Sequence, residues 1–213
     1  IDPEILYGNY IYVSDSSFGL REHFSKLSTH LIKVCNLEND SLVIDIGSND
    51  GILLDFFKKS KMNVLGIEPA RSIADIANSN GITTIPQYLS HTVVKSVLKD
   101  YGKAKLITSN NVFANVDNIR DWVSCISMLL DDNGVYVFES YYLLDVVKNY
   151  VFDFIYHEHL SSFSVKPIKN LFNSFGLNLI KVEHIDTKGG SLRYYLQKDS
   201  GKLEDDGSVS HYL

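Results

Sequence analysis

Leu42 to Gly51 reads LVIDIGSNDG. Its first half is a short apolar run rich in β-branched residues and closed by glycine, the pattern of a buried parallel strand. Gly47 and Gly51 lack a Cβ, so the turn after the strand can bring its backbone close to a ligand. A helical pattern starts at Ile52. Strand, glycine turn and helix N-terminus together predict a site where backbone N–H groups meet a polar ligand. A dinucleotide site asks for G-x-G-x-x-G, whose second glycine admits a pyrophosphate. Asn49 stands in that place here, and Asp50 puts a carboxylate in the turn. With Asp45 at the strand end, the acidic bias suits a ligand that carries positive charge, such as an amino-acid ammonium or a sulfonium. The plainer alternative is a tight turn that binds nothing.

The pattern on both sides of this stretch repeats it. Arg21 to Cys35 has apolar residues at helical spacing. Strands are expected at Leu42–Ile46, Asn63–Ile67, Ile82–Ile85, Lys105–Ser109 and Val135–Glu139. Between them, helices are expected at Ile52–Lys59, Ser72–Asn80, His91–Tyr101 and Ile119–Leu130, with a turn at Asp132-Asn133-Gly134 before the last strand. Short buried strands alternating with helices predict an α/β, doubly wound, Rossmann-like parallel sheet. Further on, helices are expected at Tyr142–Asn149 and Lys166–Phe175. Strands Leu177–His184 and Leu192–Gln197, joined by a turn at Gly189-Gly190, read as a hairpin-like edge. Residues 1–20 read as an arm or lid, 21–198 as the main domain and 199–213 as a polar tail or linker.

The 213 residues suffice for one such domain, and 45% hydrophobic content supplies its core. The charge of -6, with no dense basic stripe, disfavours nucleic acid. No apolar run reaches membrane-spanning length, so neither a membrane nor a signal peptide is expected. Cys35 and Cys125 lack metal-ligand spacing and fit a reducing, cytoplasmic compartment. A chain that starts at Ile1 rather than methionine is expected to be a piece or a trimmed form.

Several residues carry candidate chemistry. Glu68, at the end of the second strand, lies about 20 residues beyond the glycine turn, where an acidic group can take ribose hydroxyls. Pro69 offers a flat apolar face for a base. Gln87, after the third strand, could read an adenine edge, although loop capping explains it as well. Asn110, after the fourth strand, lies at the carboxyl end of the sheet, where ligands of doubly wound folds bind. Tyr12 in the arm could close over a ligand. The second centre is Tyr156-His157-Glu158-His159. An imidazole can take a proton near neutral pH, and an adjacent carboxylate can orient it or raise its basicity. If the segment is extended, both histidines share one face. A metal would then be possible if His184 or Asp186 folded back, but no cysteine or third histidine lies nearby. Arg193, after the two glycines, reads either as an anion binder or as a surface residue beside a hairpin.

Taken in order, IDIGSNDG, LGIEPA, NNVFANV, VFESYYLLD, FDFIYHEHLSSFS and TKGGSLRYY resemble the S-adenosylmethionine-dependent C-methyltransferases of nucleotide-linked deoxysugars. The likeness runs from about Asp2 to Gln197. It implies a seven-stranded class I methyltransferase sheet, mostly parallel with the last strand antiparallel, and S-adenosyl-L-methionine as cofactor. It implies that Gly47, Asn49, Gly51, Glu68 and the region of Asn110 line that cofactor. It also implies that His159 is a general base, with Tyr156 and Glu158 beside it at the sugar. The substrate implied is a small molecule, a thymidine diphosphate 4-keto-deoxyhexose methylated on carbon next to the ketone. Members of the family usually add an N-terminal zinc-binding module and a C-terminal domain. Three other functions are compatible with the residues: methylation of oxygen or nitrogen on a small molecule, nicotinamide-dependent redox chemistry, which Asn49 speaks against, and a non-catalytic binding module.

Overall fold

The computed structural model describes residues 6–7, 19–187 and 189–213. Tyr12 therefore lies outside the described residues, as does most of the expected arm. The strands form one seven-stranded sheet of order β3-β2-β1-β4-β5-β7-β6. The chain divides into two compact units, one through Thr108 and one from Ser109 to Leu213.

In the first unit, α1 spans Leu20–Val34 and buries Phe24, Leu27 and Leu31, residues at helical spacing. β1 (Leu42–Ile46), α2 (Ile52–Lys59) and β2 (Asn63–Ile67) follow within the expected bounds. β1 pairs in parallel with β2, Leu42 opposite Asn63, and with β4 (Ala104–Asn110), Asp45 opposite Thr108. The unit is completed by α3 (Arg71–Ser79), β3 (Thr84–Ile85) and α4 (His91–Asp100). β3 is shorter than the expected Ile82–Ile85. The Asn78 side chain brackets Thr84, accepting its N–H at 3.0 Å and donating to its carbonyl at 2.9 Å, and sheet pairing starts only there. At Gly66 in β2, a Cβ would lie 2.5 Å from Ser48 Oγ and 2.6 Å from Thr84 Oγ1. Only glycine lets the strand pass between the β1 turn and β3.

The second unit holds α5 (Ile119–Leu129), β5 (Leu130–Tyr141), α6 (Leu143–Lys148), α7 (Val165–Asn173), β6 (Leu177–Ile185), β7 (Ser191–Lys198) and α8 (Ser208–His211). β7 runs antiparallel to both β5 and β6, the one reversal in an otherwise parallel order. The turn expected at Asp132-Asn133-Gly134 falls inside β5. Asp131 Oδ1 still accepts the Asn133 N–H at 3.0 Å, a local Asx turn, and pairing with β7 begins at Val135.

Alternation along β5 sorts its side chains. Tyr136 and Phe138 meet Phe172 of α7, and Phe138 stacks on Tyr194, its partner across the ladder, at 4.6 Å. On the other face the register sets Arg193 between Glu139 of β5 and Glu183 of β6. Arg193 Nε donates to Glu139 Oε1 at 2.8 Å, Nη1 to Glu183 Oε2 at 2.9 Å, and the Tyr195 hydroxyl to the same Glu183 oxygen at 2.6 Å. Arg193 is 7% exposed and Glu139 3%. The guanidinium is thus neither a surface residue nor an anion site; it ties three strands together. Burial opposes its charge, yet Glu139 beside it holds its pKa above the usual range.

Residues 199–213 return to the sheet. Ser208 Oγ accepts the Val182 N–H at 2.9 Å, Asp206 pairs with Lys181 at 3.5 Å, and Val209 is buried. Among the described residues no helix is long and apolar enough to cross a membrane.

Removing the cation is costly because Glu139 is then left buried without the guanidinium that pairs with it, while Glu183 keeps Lys181 at 3.0 Å. Arg193→Ala is expected to lower stability by about 3–5 kcal/mol in urea denaturation. A loss below about 1 kcal/mol, the range of a surface pair, would show that the triad does not hold β7 in place.

Candidate active site

In the first unit the turn after β1 is built by backbone conformation. Gly47 (φ 71°), Asn49 (φ 51°) and Gly51 (φ 79°) are all left-handed. Asparagine tolerates that region, so Asn49 can occupy the place of a second glycine. The turn is pinned from β2. Glu68 Oε2 accepts the Asn49 N–H at 2.9 Å, and Oε1 accepts the Ala70 N–H at 2.9 Å. Glu68 was expected to offer both oxygens to ribose; here each already holds a backbone N–H, and only a second lone pair on each remains for hydroxyls. Asp50, expected to face a cationic ligand, sits at the start of α2, where its Oδ1 takes the Ile52 N–H at a long 3.4 Å.

Asp45 and Glu68 are both buried, and among the described residues no cation pairs with either. Burial pushes the Asp45 carboxyl up to about 7. The Thr108 hydroxyl, donating to Oδ1 at 2.6 Å, pulls the other way, and the neighbouring Glu68 charge adds to the rise. Burial also raises Glu68, against the stabilising N–H groups of Ala70 and Asn49. Two buried carboxylates that repel each other form a site that a positively charged group would relieve. Ser48 Oγ, buried in the same turn, has no hydrogen-bond partner among the described residues. These features fit S-adenosyl-L-methionine: a cation for the carboxylates, hydroxyls for the remaining lone pairs on Glu68, and a polar atom for Ser48. Pro69 is half-buried, and Gln87 is exposed, with its backbone N–H on Ile85 O.

In the second unit, Asn110 ends β4 with its Nδ2 buried and without a partner among the described residues. Asn111 follows in a left-handed conformation, with its N–H on Glu139 O at 2.8 Å. The histidine segment is not extended. A 3-10 turn at Phe152–Phe154 leads into a tight turn closed by His159 N–H on Tyr156 O at 3.1 Å. The two histidines therefore do not share a face: His157 is exposed and edge-on to Tyr156, whereas His159 is tucked under rings. The imidazole of His159 stacks on Tyr141 at 4.6 Å, with Tyr156 at 4.4 Å and Phe154 at 5.9 Å. Its Nδ1 lies 2.7 Å from the Phe154 carbonyl oxygen. A carbonyl only accepts, so the neutral ring carries its proton on Nδ1 and its basic lone pair on Nε2. The orienting group is thus a backbone oxygen. The Glu158 carboxylate acts on Tyr156 instead: burial, then Glu158 and Tyr141, hold the Tyr156 hydroxyl above its ordinary pKa.

Three contributors were not picked out from the sequence. Thr108 is a small polar residue within an apolar strand run, a signal that could have found it. Tyr141 is the last residue of β5; its hydroxyl donates to the Ser161 carbonyl at 3.0 Å and meets Ser162 Oγ at 2.7 Å, anchoring the segment after His159. The Phe154 carbonyl leaves no sequence signal. Among the described residues no group of three or more His, Cys, Asp or Glu could hold a metal, and His184 lies against Asp145 rather than near His159.

Comparison with known proteins adds to this geometry. Residues 20–182 match the family model described as a methyltransferase domain. A C-methyltransferase from Streptomyces niveus, NovU, is 34% identical over 192 residues, which cover 90% of this chain and 46% of that protein. The chain thus spans about half the length of that relative. Among solved structures, a magnesium protoporphyrin IX methyltransferase from Synechocystis PCC 6803 with bound SAH superposes with a TM-score of 0.66 at 15% identity, over 85% of this chain and 84% of the other. An S-adenosylmethionine-dependent methyltransferase from Clostridium acetobutylicum gives 0.64 at 12% identity, over 85% and 92%.

The Asp45 carboxyl yields a prediction about stability. Its pKa is higher folded than unfolded, so its contribution is present below the ordinary carboxylate value and is lost as pH rises to about 7. Asp45→Asn is expected to flatten the decline in melting stability between about pH 4 and pH 8, a term of up to ~4 kcal/mol, with Glu68 leaving a residual slope. Melting curves of the unliganded variant that kept the wild-type slope would place the titration elsewhere.

Proposed function

The chain belongs to the methyltransferase domain family, an enzyme with S-adenosyl-L-methionine as its cofactor, and we propose that it methylates a carbon atom next to the ketone of a nucleotide-linked 4-keto-deoxysugar. The observation that carries this reading is the His159 ring. With Nδ1–H spent on the Phe154 carbonyl, its Nε2 is fixed as the basic atom. Deprotonating carbon needs such a positioned base more than transfer to a ready-made nucleophile does. The name of the Streptomyces relative, a C-methyltransferase, supports the same choice.

The parts divide as follows. Gly47, Asn49, Gly51, Asp45 and Glu68 would hold the cofactor, with Pro69 and Gln87 as further contacts. S-adenosyl-L-methionine supplies the electrophilic methyl group that the deprotonated carbon accepts. His159 Nε2 takes the proton alpha to the ketone. Removing it places negative charge on the ketone oxygen, and a donor aimed there lowers the barrier. Tyr156 suits that role, since its ring lies 4.4 Å from the His159 imidazole and a phenol hydroxyl is a donor at neutral pH. The Glu158 carboxylate can accept a sugar hydroxyl and so orient the ring.

The test is exchange of the alpha proton of a thymidine diphosphate 4-keto-deoxyhexose with deuterated solvent, followed by NMR with S-adenosylhomocysteine present. Wild type is expected to exchange it, His159→Ala to be slower by about 10²–10⁴-fold, and Tyr156→Phe to be slowed less. Equal rates for wild type and His159→Ala would remove the base assignment. Methyl transfer without any exchange would move the acceptor atom to oxygen or nitrogen.

A further inference from the structure

The Gly189-Gly190 turn between β6 and β7 is packed against the segment that carries His159. A Cβ on Gly190 (φ 117°) would fall on the Asp145 carboxylate and 2.7 Å from Asp145 Cβ. A Cβ on Gly189 (φ 75°) would lie 3.1 Å from Val151 Cγ1. The spaces where side chains would stand are filled by α6 and by the residue that opens the 3-10 turn. Hydrogen bonds run the same way. Gly190 O accepts the Tyr142 N–H at 3.0 Å, and Gly189 O accepts Asn149 Nδ2 at 3.4 Å. Across the seam, His184 of β6 sets its Nε2 2.6 Å from Asp145 Oδ2. Asp145 is mostly buried, and Tyr142 and Tyr212 lie within reach of its charge; the other ring nitrogen of His184 faces Asp186 at 3.5 Å.

We propose that this turn is the seat that positions the catalytic imidazole, and that Asp145 and His184 are positioning residues which lock the segment onto it. The path is short. Val151 rests on Gly189, and its N–H is held by Val146 O at 3.0 Å. The 3-10 turn runs from Val151 to Phe154, and the Phe154 carbonyl sets the His159 ring. A shift of Val151 moves that carbonyl, and with it the Nδ1 bond that fixes the basic nitrogen. Neither Asp145 nor His184 needs to touch a substrate for this.

The inference rests on His159 being the base, so the primary readout is the state of its ring, which requires no acceptor. ¹⁵N NMR of the imidazole is expected to show the Nδ1–H tautomer in wild type. Asp145→Ala and His184→Ala are each expected to turn it into a mixture of tautomers and to lower kcat by about tenfold or more, with the affinity for S-adenosylhomocysteine unchanged by calorimetry. The double variant should be no worse than the poorer single one, because both remove one interaction. Asp145→Asn, which keeps an acceptor for His184, should restore the wild-type tautomer. Wild-type His159 signals in both alanine variants would overturn the seat, as would parallel loss of S-adenosylhomocysteine affinity and kcat, the mark of general unfolding. An Nε2–H tautomer in wild type would instead defeat the base assignment itself.

Discussion

One carboxylate holds the first unit's ligand turn together. Glu68 reaches from the end of β2 to the Asn49 N–H in the neighbouring turn and to the Ala70 N–H in its own. Both loops at the carboxyl ends of adjacent strands are therefore set by a single buried charge. The charge is kept in place by hydrogen bonds, and among the described residues no cation offsets the carboxylate pair it makes with Asp45. The arrangement that shapes the turn also creates a negative field, of the sign that a positively charged ligand would satisfy.

The second unit solves a different problem, that of holding one imidazole in one tautomer on an irregular segment. Its means are mostly non-ionic. Rings above and beside His159, a backbone carbonyl on Nδ1 and the Tyr141 hydroxyl behind the segment together limit the ring to one pose. The triad of Arg193, Glu139 and Glu183 lies on the sheet itself and joins β5, β7 and β6.

What the sequence made legible was local. β1, α2 and β2 fall where apolar periodicity and glycine put them, since each is specified by its own residues and the turn beside it. At Asn49 the structure adds a conformational detail: its left-handed backbone is one that asparagine tolerates where a second glycine is usual. Contacts made through pairing of distant strands were not legible. Arg193 looked like a hairpin's surface residue until the antiparallel register set it across from Glu139, 54 positions earlier in the chain. The partner of His159 Nδ1 is a carbonyl that every residue possesses, so no residue type marks it. Where a side chain overrides propensity, as Asn78 does in bracketing Thr84, even the bounds of a short strand escape a periodicity argument.

β6 ends the order of the sheet, and an end strand presents unpaired N–H groups that can recruit a strand from another molecule. Here the Val182 amide is taken by Ser208, and the short α8 lies along that margin. A chain cut back to Lys198 would lose this cover and turn the margin into a template for intermolecular pairing. The fifteen residues that look dispensable by composition thus cover part of the β6 edge, and any shortened version should be judged first by its colloidal behaviour.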